Sequence, residues 1–292
     1  MRVNNQHGFF LLELLVASTI MLLVIGMFGA TANFQKRTYL DGATRSRISQ
    51  NLRGTLDIIG TDIRIGGENL TQNFPAFLLT SGAITDSLTV RRSILDEALP
   101  ICVSLTAGSP ATGITVSSSA VGTPGCTVSG NQVAFDRWKQ YRLDKGGSVF
   151  AYLYNITTKQ GEFFTYSADS ATGALLTISR PGPASGWLYS YTAGTSVIYM
   201  LESWQYQVTG DELQVIQNDQ VASPLTVMFG VKDFEISAIM QDGSTLTSMT
   251  TATDWTDLKY FEVELKGEET SVQRAIEKTV VSRFFPRNIL SF

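Results

Sequence analysis

Histidine is nearly absent from this sequence. The only one, His7, lies in a short polar segment ahead of a long apolar run. Without other histidines the chain lacks the usual general base of Ser-His and Cys-His relays and the commonest side-chain ligand of transition metals. Motifs for nucleotide-binding loops, dinucleotide-binding folds, α/β-hydrolases, zinc peptidases and EF-hands are also missing. The sequence therefore predicts a protein that is not an enzyme and that needs no cofactor.

Charge is scarce as well. Charged residues make up 16% of the 292 residues, hydrophobic residues make up 43%, and the formal net charge is −4. This balance allows a substantial core in one large domain or two modest ones. It argues against a surface that binds nucleic acid, which requires clustered positive charge.

Cysteine occurs only twice, at Cys102 and Cys126, in a stretch rich in serine, glycine and threonine. Neither belongs to a CxxC pair, and without histidine the two cannot complete a zinc site. In an exported protein this spacing predicts one disulfide between Cys102 and Cys126 that closes a loop. Two free buried thiols are the alternative.

The longest feature is an apolar run over residues 9–30, which follows the polar segment Met1–Gly8. About 20 apolar residues in a helix cross the hydrocarbon core of a bilayer. Glu13 lies near the start of the run, where a carboxylate in lipid costs on the order of 2.5–3.5 kcal/mol. Cleavage between Gly8 and Phe9 would create an α-amine four residues before Glu13. That amine could pair with the Glu13 carboxylate of a neighbouring copy.

The segment GFFLLELLVA resembles the N-terminus of type IV prepilins. Gly8 precedes the cleavage site, Phe9 is the first mature residue, and Glu13 is the fifth. The resemblance implies a leader over residues 1–8, cleavage by a prepilin peptidase, N-methylation of Phe9 and assembly with other major and minor pilins. It also implies a single-pass protein of the bacterial inner membrane, with its head in the periplasm and later on a pilus at the cell surface.

Two other interpretations of the N-terminus remain open. Ala30-Thr31-Ala32 matches an ordinary signal-peptidase site, which would give a secreted module, for example one that binds polysaccharide. A simple membrane anchor leaves Glu13 unexplained. More cations follow the span than precede it, which opposes the inferred orientation, so the orientation rests on the resemblance alone. These cations are Lys36, Arg37, Arg45 and Arg47 after the span and Arg2 before it.

Beyond the membrane run, apolar residues recur every three or four positions and predict an amphipathic helix. They are Ile48, Leu52, Leu56, Ile59 and Ile63. Gly66-Gly67 supplies a stop signal. We therefore predict one helix from Phe9 to Ile65, with residues 9–30 in the membrane and residues 31–66 packed against a sheet. Several glycines, Gly54 and Gly60 among them, are costly inside a helix.

After residue 67 the pattern changes to short β-type runs separated by turn signals, which predicts a β-rich head over residues 67–292. The fold class is therefore α+β and pilin-like, with a long N-terminal helix packed on an antiparallel sheet. The predicted strands cover residues 87–91, 132–138, 148–156, 162–166, 175–179, 196–208, 212–217, 225–240, 258–267 and 278–290. Residues 209–211 are predicted to form a hairpin turn.

The C-terminal third adds a second resemblance. The segments GVKDFEI and YFEVEL and the PRN near the end are similar to PilW-like minor pilins and to the related GspJ-type pseudopilins of type II secretion. Resemblance to the minor pilins implies a small complex that primes pilus assembly and stays at the tip, often beneath an adhesin, with roles in adhesion and twitching motility. A type II secretion pseudopilin shares all of the N-terminal chemistry and remains the alternative.

Three further groups of side chains have possible chemical roles. Several carboxylates could pair for glycoside chemistry, but their spacing selects no two of them. They are Asp86, Asp96, Glu97, Asp211, Glu212, Asp233 and Glu235. Asp242-Gly243-Ser244 indicates a turn before it indicates a calcium ligand. The tryptophans could form a sugar-binding platform, although packing in the core is favoured. They are Trp138, Trp187, Trp204 and Trp255.

Overall fold

The computed structural model describes residues 7–118, 125–182, 185–271 and 274–291. The predicted leader lies outside these ranges except for His7 and Gly8, which belong to the first turn of a long helix. This helix, α1 (His7–Ile65), covers 59 residues and confirms the single helix predicted from the sequence. The boundary near residue 30 between a membrane-embedded and an amphipathic part remains a prediction.

The predicted apolar stripe of α1 is buried at all five positions and packs on the head. The helix ends at Ile65 because Gly66 and Gly67 follow it. Gly67 has a φ of 80°, a left-handed conformation that glycine adopts without steric cost. A Cβ at Gly67 would lie 2.5 Å from the ring of Trp255, so the close approach of that ring also requires glycine.

The head is built from antiparallel sheets and a second helix, α2 (Val128–Asp144). The strands are β1 (Phe77–Thr80), β2 (Ser87–Ser93), β3 (Leu99–Pro100), β4 (Gly113–Ser117), β5 (Val149–Asn155), β6 (Gln160–Tyr166), β7 (Ala168–Thr172), β8 (Leu175–Ser179), β9 (Ser196–Tyr199), β10 (Leu201–Thr209), β11 (Glu212–Gln217), β12 (Leu225–Phe229), β13 (Val231–Met240), β14 (Thr245–Leu246), β15 (Leu258–Thr270) and β16 (Ala275–Phe284). Short 3-10 helices cover Trp255–Asp257 and Asn288–Ser291. The sheet orders are β1-β2-β10-β11-β12, β14-β13-β15-β16, β3-β9-β5-β6 and β4-β8-β7.

Two hydrophobic cores share one sheet. The first core joins the second half of α1 to the sheets that contain β2, β10, β13 and β15. The second core encloses α2 together with β4 and β8. Strand β5 serves both, because Tyr152 and Tyr154 face the first core whereas Ala151 and Leu153 face the second. This alternation follows from the two-residue period of a strand. The sequence showed no linker because β5 contributes side chains to both cores, so no separate segment of the chain divides them.

One predicted strand is wrong. Residues 132–138 lie inside α2, where Phe135 and Trp138 are buried and Asp136 and Arg137 are exposed. The apolar residues at positions 134, 135, 138 and 141 follow the helical period, which the short predicted run was too brief to reveal. The alternation predicted for β15 is confirmed, since Phe261, Val263 and Leu265 are fully buried.

Two long predicted strands are interrupted. The run 196–208 divides at Met200 into β9 and β10, which belong to different sheets. The run 225–240 divides at Gly230, whose φ of 72° turns the chain from β12 into β13. The last run forms β16 and ends at Phe284, two residues before Pro286, which has no N–H to donate to a ladder.

The disulfide between Cys102 and Cys126 is confirmed, with an S–S distance of 2.02 Å. Both cysteines are buried. The backbone N–H of Cys102 donates to the carbonyl of Thr115 in β4, and Cys126 lies two residues before α2. The bond therefore ties β4 to the start of α2 at the second core.

Alanine substitutions at two glycines of α1 should change the stability of the protein in opposite directions. At Gly54 an added Cβ meets nothing within 4 Å, so Gly54→Ala should stabilise the protein by about 0.5–1 kcal/mol through helix propensity. At Gly60 the same Cβ would lie 2.2 Å from the ring of the buried Phe284. Gly60→Ala should therefore destabilise the protein by roughly 1–3 kcal/mol through overpacking. Denaturant unfolding of the two variants measures both values, and equal stabilisation by both would contradict the packing of α1 on β16.

Candidate functional site

The first half of α1 carries an exposed apolar surface. Every side chain from Leu11 to Tyr39 is exposed, and the most apolar window there has a mean hydropathy of 2.4. Among the described residues this is the helix that is long and apolar enough to cross a membrane. Large exposed side chains include Leu11, Leu12, Leu14, Leu15, Ile20, Met21, Leu22, Leu23, Ile25, Met27 and Phe28. Such a surface requires a lipid or protein environment.

Glu13 differs from the other polar side chains of this span. The hydroxyls of Ser18, Thr19 and Thr31 each donate to a backbone carbonyl three or four residues earlier in the helix. Those groups are therefore satisfied without any partner from outside. Within the described part of the chain, Glu13 makes no hydrogen bond and no ion pair. It is the group in the span that requires an external partner or contact with water.

The helix fixes how Glu13 relates to the other predicted site residues. Gly8 and Phe9 lie in helical backbone, and Phe9 precedes Glu13 by one turn. At the other end, Lys36 follows Glu13 by 23 positions. At 1.5 Å per residue this distance is about 34 Å, close to the ~30 Å thickness of a hydrocarbon core. Glu13 and Lys36 can thus occupy opposite membrane boundaries in a single subunit.

A polar contact marks where α1 joins the head. The Ser271 hydroxyl and the Arg274 guanidinium both donate to the Asp41 carboxylate, and Lys278 donates to the Ser49 hydroxyl at 2.9 Å. The Ser271 hydrogen bond, followed by Arg274, lowers the pKa of Asp41 below its usual value. A lowered pKa means that this contact stabilises the fold above the unfolded pKa and is lost as the pH falls through the folded value. The helix is therefore fixed to the head from Asp41 onward and free of it before that residue.

Three of the predicted head carboxylates make contacts within the fold. Asp86 accepts from the backbone N–H of Ile236 at 2.8 Å, and Arg137 pairs with both Asp96 and Glu97. Among the described residues no three histidine, cysteine or carboxylate side chains are grouped to hold a metal ion. The turn at Asp242 is confirmed, since its carboxylate accepts from the backbone N–H of Ser244 at 2.8 Å. The other predicted carboxylates are Asp211 and Glu212 at the β10–β11 hairpin and Asp233 and Glu235 in β13.

The tryptophans do not form a surface platform. Trp138, Trp187 and Trp255 are buried, so their ring faces are covered by protein. Trp204 is half-buried, and the Arg92 guanidinium lies 5.5 Å from its ring centre. Packing, the favoured interpretation, is confirmed for the three buried rings.

Sequence reasoning missed one side chain of chemical interest, the buried Arg91. In the run SLTVRRS two arginines are adjacent, and nothing in the local pattern tells which one faces the interior. The register of β2 and the packing of the β3-β9-β5-β6 sheet decide this.

No protein-family model matches the sequence, and no curated protein matches it. Among solved structures, a type IV-like pilin from Thermus thermophilus matches with a TM-score of 0.39 and 9% identity, covering 83% of this chain and 97% of that chain.

Proposed function

We propose that this chain is a minor pilin of a type IV pilus, made as a prepilin and anchored in the bacterial inner membrane before assembly. One observation carries the proposal: α1 is fixed to the head from Asp41 onward, whereas residues 11–30 are exposed and apolar and carry a single charged side chain, Glu13, which has no partner among the described residues. A membrane anchor alone does not require a carboxylate in that span. A subunit that moves from lipid into a bundle of similar helices uses one.

The proposed role is structural and not enzymatic. A prepilin peptidase removes the leader after Gly8, and the new amine at Phe9 is N-methylated. Glu13 then pairs with an amine in the growing filament, and the subunit joins other minor pilins that prime assembly and remain at the tip. The large head with two cores suits a tip subunit that supports an adhesin. A type II secretion pseudopilin, which shares the N-terminal chemistry, is the alternative.

The mature N-terminus tests this proposal. Mass spectrometry of the protein purified from its own membranes should find N-methylated Phe9 as the first residue. Gly8→Val should keep the leader attached, because a branched side chain replaces glycine at the cleavage site. Ala30→Val is the matched control, since it alters the alternative signal-peptidase site and should leave processing unchanged. A mature protein that starts at Asn33 would instead show a secreted head and would exclude a pilin.

A further inference from the structure

Arg91 is a buried cation beside two aromatic rings that contact each other, with their ring centres 5.8 Å apart. It lies in β2 and is only 8% exposed. Its guanidinium carbon is 6.0 Å from the ring centre of Phe74 and 5.5 Å from that of Tyr152. The side chain thus sits at the boundary between the first core and the sheet that the two cores share. Burying a charge costs several kcal/mol unless a counter-charge and hydrogen bonds compensate it.

No such compensation comes from the described part of the protein. Arg91 forms no ion pair and no side-chain hydrogen bond there, and its Nε is fully enclosed without a partner. The residue keeps 8% of its surface exposed, and an anion can approach it from that side. The adjacent Arg92 differs, since its guanidinium pairs with Glu202 at 2.7 Å and with Glu68 at 3.2 Å.

Arg142 is a second buried arginine, and its contacts can be compared with those of Arg91. It is 9% exposed and also stacks on a tyrosine, at 5.2 Å from the ring centre of Tyr166. Unlike Arg91, it pairs with the buried Asp169 and donates to the backbone carbonyls of Gly147 and Ser167. At Arg142 the contact with a ring therefore accompanies an ion pair and hydrogen bonds. At Arg91 the described residues provide ring contacts only.

The surroundings of Arg91 are fixed by a tight turn. Ser203 lies opposite Arg91 across the β2–β10 ladder. Its backbone N–H donates at 2.9 Å to the side chain of Asn218, and Asn218 and Asp219 have positive φ values of 50° and 57°. The Asp219 carboxylate is exposed and forms no ion pair with Arg91, although both charges act on the Tyr152 hydroxyl. Burial raises the pKa of Tyr152, which keeps that hydroxyl a proton donor.

We propose that Arg91 and the Tyr152 hydroxyl form a binding site for an oxyanion, a carboxylate or a phosphate group that enters from solvent. The guanidinium provides terminal N–H donors in a fixed orientation, and the rings of Phe74 and Tyr152 hold it there. The low-dielectric surroundings that make the unpaired cation costly also strengthen its attraction for an anion. The site does not depend on the assignment as a pilin.

Thermal unfolding of the full chain in a non-ionic detergent tests the site. The wild type is compared in sodium phosphate, sodium acetate and sodium chloride at equal ionic strength and neutral pH. An anion present at about 100 times its dissociation constant should raise the Tm by roughly 5–10 °C over chloride. A response to phosphate alone or to acetate alone identifies the group that the site takes. The absence of any rise in both buffers would overturn the proposal.

Two methionine variants distinguish an Arg91 that binds an anion from an Arg91 that only supports the fold. Arg91→Met should have a Tm in chloride equal to or above that of the wild type, because an apolar chain replaces an unpaired buried charge. It should also lose the response to phosphate and acetate. Arg142→Met is the matched control: it should lower the Tm in every buffer, since the buried Asp169 carboxylate then keeps only the Tyr166 hydroxyl and Lys139 at 3.7 Å, and it should keep the anion response. Calorimetric titration of the wild type and of Arg91→Lys with phosphate gives a second measurement if Arg91→Met does not fold. Retention of the full response by either Arg91 variant would overturn the proposal.

Discussion

Glu13→Gln should be synthesised, inserted and processed like the wild type, yet enter pili at least about tenfold less often. An ion pair formed away from water couples its partners by about 1.5 kcal/mol or more, and each 1.4 kcal/mol is a factor of about ten. Insertion of the single subunit should not suffer, because the change removes a carboxylate that costs on the order of 2.5–3.5 kcal/mol in lipid. Immunoblots of sheared pili and of membranes, together with counts of pili per cell, measure the two effects.

Ser18→Ala is the control for this experiment. Ser18 lies in the same exposed span, and its hydroxyl is satisfied by the carbonyl of Leu15 at 3.0 Å. Its removal should therefore leave assembly unchanged. The competing interpretation places Glu13 in the headgroup region, which the ~34 Å between Glu13 and Lys36 allows for a single subunit. That interpretation predicts normal incorporation of Glu13→Gln. Wild-type amounts of the variant in pili, with unchanged pilus number, would refute charge pairing and leave the prepilin assignment in place.

Loss of the disulfide should destabilise the head strongly. Replacing Cys102 and Cys126 by alanine releases a loop whose ends are 24 positions apart and should lower the free energy of unfolding by roughly 3 kcal/mol. Denaturant unfolding of the wild type and of the double variant measures the loss. Both thiols should also resist alkylation in freshly purified, non-reduced protein.

The single variants provide the control. If the bond acts by closing the loop, Cys102→Ala, Cys126→Ala and the double variant lose nearly the same stability, because the link is broken once in each case. Losses that add from the single to the double variant would show that the side chains act mainly by packing. Alkylation of both thiols before reduction would contradict the bond itself.

The sequence alone determined the long helix and most strands. An amphipathic stripe such as Ile48 to Ile63 reports burial through its period, and strict alternation as in Phe261, Val263 and Leu265 does the same for a strand. The disulfide was also within reach, because two isolated cysteines allow one pairing. These predictions succeed because each depends on residues that lie close together in the sequence.

Other features depended on contacts between residues far apart in the chain. The run 132–138 was too short to distinguish a helical period from a strand. The divisions at Met200 and Gly230 follow from which sheet each half-strand joins. The cost of a side chain at Gly60 comes from Phe284, more than 200 residues later.

The candidate sites divide in the same way. Glu13 was evident from the sequence because one carboxylate in an uncharged run stands out before any folding. Arg91 was not, because an identical side chain, Arg92, is adjacent to it in the same strand. Only the tertiary structure places Arg92 beside Glu202 and Arg91 beside the contacting rings of Phe74 and Tyr152. Burial and the presence of a counter-charge are properties of the surrounding fold, and a strand sequence does not encode which of two adjacent arginines will lack one.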